Sequence, residues 1–235
     1  MKHFLLLFTA LTITLSFCKA AEPRTDSRIT VLLETSEGNI RIALSDLTPL
    51  HRDNFIRLVK AHFYDSLLFH RVISNFMIQA GDPGSKRAEP GKQLGDGDLG
   101  YELPAEIRLP QLYHKRGAVA MARENDDVNP EHKSSSCQFY IVWGKTFPSA
   151  YIEEQRQRLD SLPGGGIKMT KEMETAYRKV GGTPHLDGGY TVFGEVIEGL
   201  DVVGKIQEAY TDDYDRPVDD IRILRATVTE GGVSQ

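Results

Sequence analysis

The sequence predicts a mostly β domain, arranged as a closed antiparallel barrel with two capping helices. Three observations predict it. Short runs rich in Val, Ile, Leu and Phe recur along the chain, each bounded by Gly, Pro, Asn or Ser. Only two segments of the main body, residues 49–62 and 200–210, place apolar groups at helical spacing. A third stretch, 147–182, interrupts this rhythm with two helix-like pieces around a glycine run, which reads as an inserted helical hairpin.

The chain has 235 residues, 40% of them hydrophobic, which suits one large domain or two small ones. Its formal charge of −5 argues against nucleic acid or an anionic membrane surface as the main partner. Residues 1–20 read as a signal peptide. Lys2 supplies the positive start, residues 4–17 an apolar run, and Cys18-Lys19-Ala20 small residues for cleavage before Ala21. Loss of Lys2 and Lys19 moves the charge to −7. Two other fates are a short retained anchor and lipid attachment at Cys18, which Phe17 fits poorly. Export to a periplasm follows from the first, membrane contact only from an anchor or lipid at Cys18. Cleavage leaves Cys137 without a disulfide partner. Its strand-like neighbours mark it as a small buried hydrophobe. A Cys137 hydrolase lacks a convincing histidine partner.

Residues 21–27 read as a polar leader and 28–230 as the domain. Residues 29–33 and 39–44 are strand patterns around Ser36-Glu37-Gly38. Thr48-Pro49 then starts a helix, a hydroxyl cap followed by proline. Leu50, Phe55, Leu58 and Val59 supply its apolar face, with His51 and His62 read as surface or helix-end residues. Val72, Ile73, Phe76, Met77 and Ile78 form strand-like runs around a Ser74-Asn75 turn, with Arg71 among them and Gln79 beyond. A guanidinium there needs an oxygen-rich partner or a route to water. Residues 84–100 read as a long loop. Gly95-Asp96-Gly97-Asp98 lacks the spaced ligands of a calcium loop and reads as a solvated turn. No metal-ligand spacing occurs among the seven histidines, so no metal and no cofactor are expected.

Strands follow at 118–123 and 134–142. In the insertion, Ser149–Leu162 pairs Glu154 with Arg158 at i, i+4. Residues 170–180 set Met173, Ala176, Tyr177 and Val180 on one face. Glycine-rich ends give the hairpin freedom to lean or move. A helix through Val202, Val203 and Ile206 and a strand at 221–229 finish the pattern.

The string Phe69-His70-Arg71-Val72-Ile73-Ser74-Asn75-Phe76-Met77-Ile78-Gln79 resembles the central motif of the cyclophilin family of peptidyl-prolyl isomerases. Arg116-Gly117, Met121-Ala122-Arg123, Ser136-Cys137-Gln138-Phe139-Tyr140 and residues 184–194 match further family sequences in order. Arg123 stands for an Asn, Tyr140 for a Phe, and Tyr190 for a frequent His. The resemblance covers nearly all of residues 29–229. It implies an eight-stranded barrel and catalysis of X–Pro isomerisation in proline-containing polypeptides, by a monomer. It also implies the roles. Arg71 donates to the twisted amide nitrogen, and Gln79 fixes Arg71. Phe76, Met77, Tyr140 and Leu186 line the proline pocket, with His185 and Tyr190 at its rim. Ala122, the Arg123 backbone and Gln138 hold the substrate chain. His70 is expected to be structural. Tyr140 brings a hydroxyl that needs a partner. Arg123 adds positive charge that favours acidic sequences beside the proline. The competing reading is a non-catalytic proline-peptide module or holdase, with the hairpin as its grip.

Overall fold

The structure, a computed structural model, describes residues 28–162 and 166–229. The expected signal segment, the 21–27 leader and Pro163-Gly164-Gly165 lie outside the described residues. Strands β1 (Thr30–Thr35) and β2 (Gly38–Leu44) form the first hairpin, with Gly38 at φ +135° in the turn. Alternation buries Val31, Leu33, Ile40 and Ile42 completely on one face. Helix α1 (Pro49–Lys60) begins with proline in its first turn, where a missing N–H costs nothing. Thr48 does not cap it; its Oγ1 instead donates to the Ser45 carbonyl.

His51, read from sequence as a surface residue, is fully buried. Its Nδ1 lies 2.7 Å from Glu106 Oε2 and its Nε2 2.9 Å from Ser134 Oγ, so it ties α1 to two distant segments. Burial lowers its pKa although Glu106 pulls the other way.

Strands β3 (Arg71–Ile73) and β4 (Met77–Ala80) form a second hairpin, with Asn75 at φ 59° in its turn. Asparagine tolerates that left-handed conformation better than most residues. Next come β5 (Glu102–Leu103), β6 (Ala118–Met121), β7 (Ser134–Ser135) and β8 (Phe139–Val142). The single strand expected at 134–142 is thus split: β7 pairs with β5, and β8 joins the main sheet. After α2 (Ser149–Asp160) and α3 (Lys171–Lys179) the chain ends with β9 (Val192–Glu198), α4 (Leu200–Ile206) and β10 (Ile223–Thr229).

Eight strands make one antiparallel sheet in the order β10-β1-β2-β9-β6-β8-β4-β3. The expected closed barrel is corrected at its last seam, because no ladder joins β3 to β10. The segments ahead of those strands meet instead through one isolated bridge, Leu68–Arg222. The Val72 N–H donates to the Asp215 carbonyl, in the loop after α4, so the short β3 turns away from β10. Phe55 of α1 anchors the core, with the rings of Tyr64, Phe139 and Phe193 within 5.0 to 5.3 Å of its own. Cys137 is buried and unpaired in the same core, and burial pushes its thiol up, as suits a small hydrophobe.

The inserted helices build a satellite core from Ile152, Leu159, Met169, Met173 and Tyr177, closed by Tyr113 of the main body. Thr170 caps α3 by accepting the Met173 N–H. The expected Glu154–Arg158 pair does not form, because Arg158 reaches Gln155 and the carbonyls of Pro184 and Asp187. Gly181-Gly182, expected to free the hairpin, fastens it. Arg116 N–H donates to Gly181 O, Gly182 N–H to Lys145 O, and Thr183 N–H to His114 O. A Cβ on Gly182 would stand 2.3 Å from the His114 carbonyl, so only glycine permits this approach.

Candidate active site

Arg71 and Gln79 are direct cross-strand partners on β3 and β4, so ladder register alone sets them side by side. The Arg71 side chain is 45% exposed, and its Nε donates to Asp215 Oδ2 at 3.3 Å. Gln79 Nε2 donates to Gln138 Oε1 at 2.9 Å. The bond expected between Gln79 and Arg71 is therefore replaced by two others, with Asp215 as the brace of the guanidinium.

Two adjoining clefts share Arg71, Gln79, Ala122, Arg123 and Asn125 at their common rim. The smaller, about 170 Å³, has apolar walls of Phe76, Met77, Leu186 and the rings of Tyr140 and Tyr190. The larger, about 310 Å³, is acidic, with Asp96, Asp98, Glu102 and Glu124 around it. Those four carboxylates form no ion pair among the described residues. Residues 95–98, expected as a solvated turn, keep Asp96 and Asp98 exposed and also line this larger cleft. His185 stands just outside the apolar cleft, its ring stacked on Phe76 at 5.6 Å. Burial lowers its pKa, and His114 and Arg158 add to the shift.

Three expected contacts differ in detail. The Gln138 amide is already committed, with Nε2 donating to Gly95 O at 2.6 Å and Gly97 O at 2.8 Å. It braces the acidic cleft more than it offers itself to a substrate. The Ala122 N–H donates to Gln138 O and its carbonyl accepts from Ser135, which leaves the methyl to face the pocket. The Arg123 side chain is not a free charge either. It contacts Asp126 at 2.6 Å, donates to Gly189 O, and lies 4.4 Å over the Tyr190 ring. That cation is thus engaged, while the four acids of the larger cleft are in no ion pair among the described residues.

His70 lies under the acidic cleft, 2% exposed, with neither ring nitrogen in an ordinary hydrogen bond. Burial lowers its pKa to about 4, against the opposing pull of Asp82, so it is neutral at pH 7.

The Tyr140 hydroxyl finds a partner that sequence reasoning missed. It lies 2.9 Å from His114 Nε2, and His114 Nδ1 lies 2.8 Å from Asp187 Oδ1. Asp187 Oδ2 then accepts from the Tyr177 hydroxyl at 2.5 Å. All four side chains are buried, and burial raises both tyrosines well above 10, which keeps their hydroxyls protonated.

Residues 30–228 match the family model of cyclophilin type peptidyl-prolyl cis-trans isomerases. A Staphylococcus epidermidis protein with a proposed assignment as a peptidyl-prolyl cis-trans isomerase is 32% identical over 206 residues, 87% of this chain and 94% of that protein. A Streptococcus pyogenes protein, proposed to be a bifunctional phosphatase and peptidyl-prolyl cis-trans isomerase, is 33% identical over 196 residues. That match covers 82% of this chain and 37% of that protein. Among solved structures, a Cryptosporidium parvum cyclophilin type isomerase crystallised in the presence of the dipeptide Ala-Pro gives a TM-score of 0.59 at 21% identity. It covers 85% of this chain and 98% of that chain, and shows a shared cyclophilin fold.

Proposed function

Since the chain belongs to the cyclophilin-type peptidyl-prolyl cis-trans isomerase family, we propose that it accelerates X–Pro isomerisation in exported proteins with Arg71 as its catalytic residue. The observation that carries this is an exposed guanidinium at the rim of a small cleft walled by Phe76, Met77, Tyr140 and Leu186. Rotation about an X–Pro bond meets a barrier of about 18–20 kcal/mol, because twisting removes amide resonance. The twisted nitrogen gains a lone pair, and a donor already in place stabilises it without reorganisation.

Phe76, Met77, Tyr140 and Leu186 hold the proline ring, and His185 and Tyr190 close the rim. The Arg123 main chain receives the substrate backbone, since its N–H and carbonyl make no other hydrogen bond among the described residues. Gln79 and Gln138 brace the common rim, and Asp215 keeps the guanidinium from folding away. The Ala-Pro dipeptide of the Cryptosporidium parvum crystals is the kind of ligand this pocket suits. A folding-chaperone role follows where slow proline steps limit maturation.

The test is exchange NMR on a short Ala-Pro peptide with residues 21–235 and with Arg71→Ala. Fast exchange that disappears on substitution supports the isomerase. Binding with no added exchange makes the protein a proline-peptide module instead. Export as a monomer to the periplasm, with residues 1–20 removed, rests on the sequence. Mass analysis of the mature protein reads Ala21 as first residue if it is right, and a lipid on Cys18 if it is anchored.

A further inference from the structure

The insertion does more than pack on itself. Its satellite core closes on Tyr113, the residue next to His114, and its last turn is stitched to residues 114–116 and 145. From that base two polar arms reach the pocket. Arg158 on α2 donates through Nη2 to Pro184 O and Asp187 O, each at 2.9 Å, and so spans the short turn that carries His185 and Leu186. Tyr177 on α3 donates to Asp187, whose other oxygen accepts from both the main-chain N–H and the ring of His114. His114 in turn meets the Tyr140 hydroxyl and stacks on that ring at 6.0 Å.

Resting on the isomerase reading above, we propose that Tyr177 and Arg158 are positioning residues for the proline pocket. Tyr177 sets the Tyr140 ring through Asp187 and His114, and Arg158 sets His185 and Leu186 through the loop carbonyls. Neither side chain lines the apolar cleft. Each acts on a residue that does. The chemistry favours this over simple packing because the Tyr177–Asp187–His114–Tyr140 chain is buried and hydrogen-bonded from end to end, and Arg158 is held by two loop carbonyls. A buried hydroxyl or carboxylate that loses its partner must move or rotate to find another. A rotation of the Tyr140 ring changes the floor on which proline rests.

The experiment is a double-mutant cycle read as peptide dissociation constant and bound-state exchange rate in the full mature chain. Tyr177→Phe keeps the ring in the satellite core and removes only the hydroxyl. It should weaken Ala-Pro peptide binding about fivefold, the effect of one lost hydrogen bond, and change bound exchange less. In a Tyr140→Phe background the pathway has no pocket end, so Tyr177→Phe should then change binding less than about twofold. Arg158→Met acts through the loop and should weaken binding in both backgrounds. Met173→Leu, in the satellite core with no polar arm, should lower the unfolding midpoint and leave binding alone.

Equal losses from Tyr177→Phe in both Tyr140 backgrounds would overturn the proposed route. So would unchanged binding in Tyr177→Phe beside a lowered unfolding midpoint, which marks a structural role only. Failure of the isomerase reading looks different, since the unsubstituted chain would then bind the peptide and add no exchange, whatever the cycle gives.

Discussion

On one side of the pocket Arg71, Phe76, Met77 and Gln79 come from a β-hairpin; ladder register orients Arg71, Met77 and Gln79, and Phe76 sits in the turn between the strands. On the other side His185, Leu186 and Tyr190 come from residues 183–190, which join no ladder until β9. Buried polar contacts hold that second wall: Asp187 to His114 and Tyr177, Arg158 to two carbonyls. The first wall keeps its chief polar group in water, braced by an exposed ion pair. The second buries Asp187, His114 and Tyr177, with Arg158 half-buried beside them. The contrast separates two jobs. A donor that must meet a changing amide stays accessible, whereas a wall that must hold a ring is fixed from behind.

The largest effect should fall on the hidden wall. Asp187→Ala strips a partner from both His114 and Tyr177 in a buried site. It should cost roughly 3–5 kcal/mol of stability in urea unfolding. Arg71→Ala on the open wall should leave unfolding within about 0.5 kcal/mol, as exposed sites do. It should lower the catalysed rate by roughly 10²–10³, the toll of one lost preorganised donor. Similar stability losses from the two substitutions would break the comparison.

Acid should loosen the molecule through His70. Its folded pKa, about 4, lies below the ordinary 6.5, so the unfolded chain takes up the proton first as pH falls. Its contribution is constant above pH 6.5 and is lost between 6.5 and 4, by roughly 3 kcal/mol for the full shift. The lowered pKa of His51 acts in the same direction. His70→Gln should flatten the slope of unfolding free energy between pH 4.5 and 6.5; an unchanged slope removes His70 from the account. The smallest effect concerns selectivity. With Arg123 held by Asp126 and the cleft acids unpaired, Lys beside the proline should be favoured over Glu by roughly threefold at low salt. Peptide titrations at low and high salt measure it.

The open wall was legible in the sequence because Arg71, Phe76, Met77 and Gln79 fall in one local string around the Ser74-Asn75 turn, and the resemblance of that string to the cyclophilin motif implied their roles. The helices of the insertion were legible from helical spacing, which is local too. The hidden wall was not. Tyr177 at helical spacing with Met173 reads as packing, and it does pack. That its hydroxyl also meets Asp187 depends on how the satellite core seats against Tyr113, which no local pattern encodes. Asp215 lies 144 residues beyond Arg71, too far for any spacing rule. His51 shows the same limit: a helix-end histidine looks solvent-facing until Glu106 and Ser134 arrive from elsewhere. The open seam turns on Val72 bonding to the Asp215 carbonyl, again a tertiary choice.

The most direct test sets the two walls side by side in exchange NMR, with peptide affinity and bound-state exchange measured for Arg71→Lys and Leu186→Ala. Lysine keeps the charge but loses the planar fork of donors. The account predicts that Arg71→Lys slows bound exchange at least about tenfold with affinity nearly intact. It predicts that Leu186→Ala weakens affinity about tenfold while bound exchange stays close to the wild type. Unchanged bound exchange in Arg71→Lys, or a collapse of it in Leu186→Ala, would contradict the division of labour between the walls.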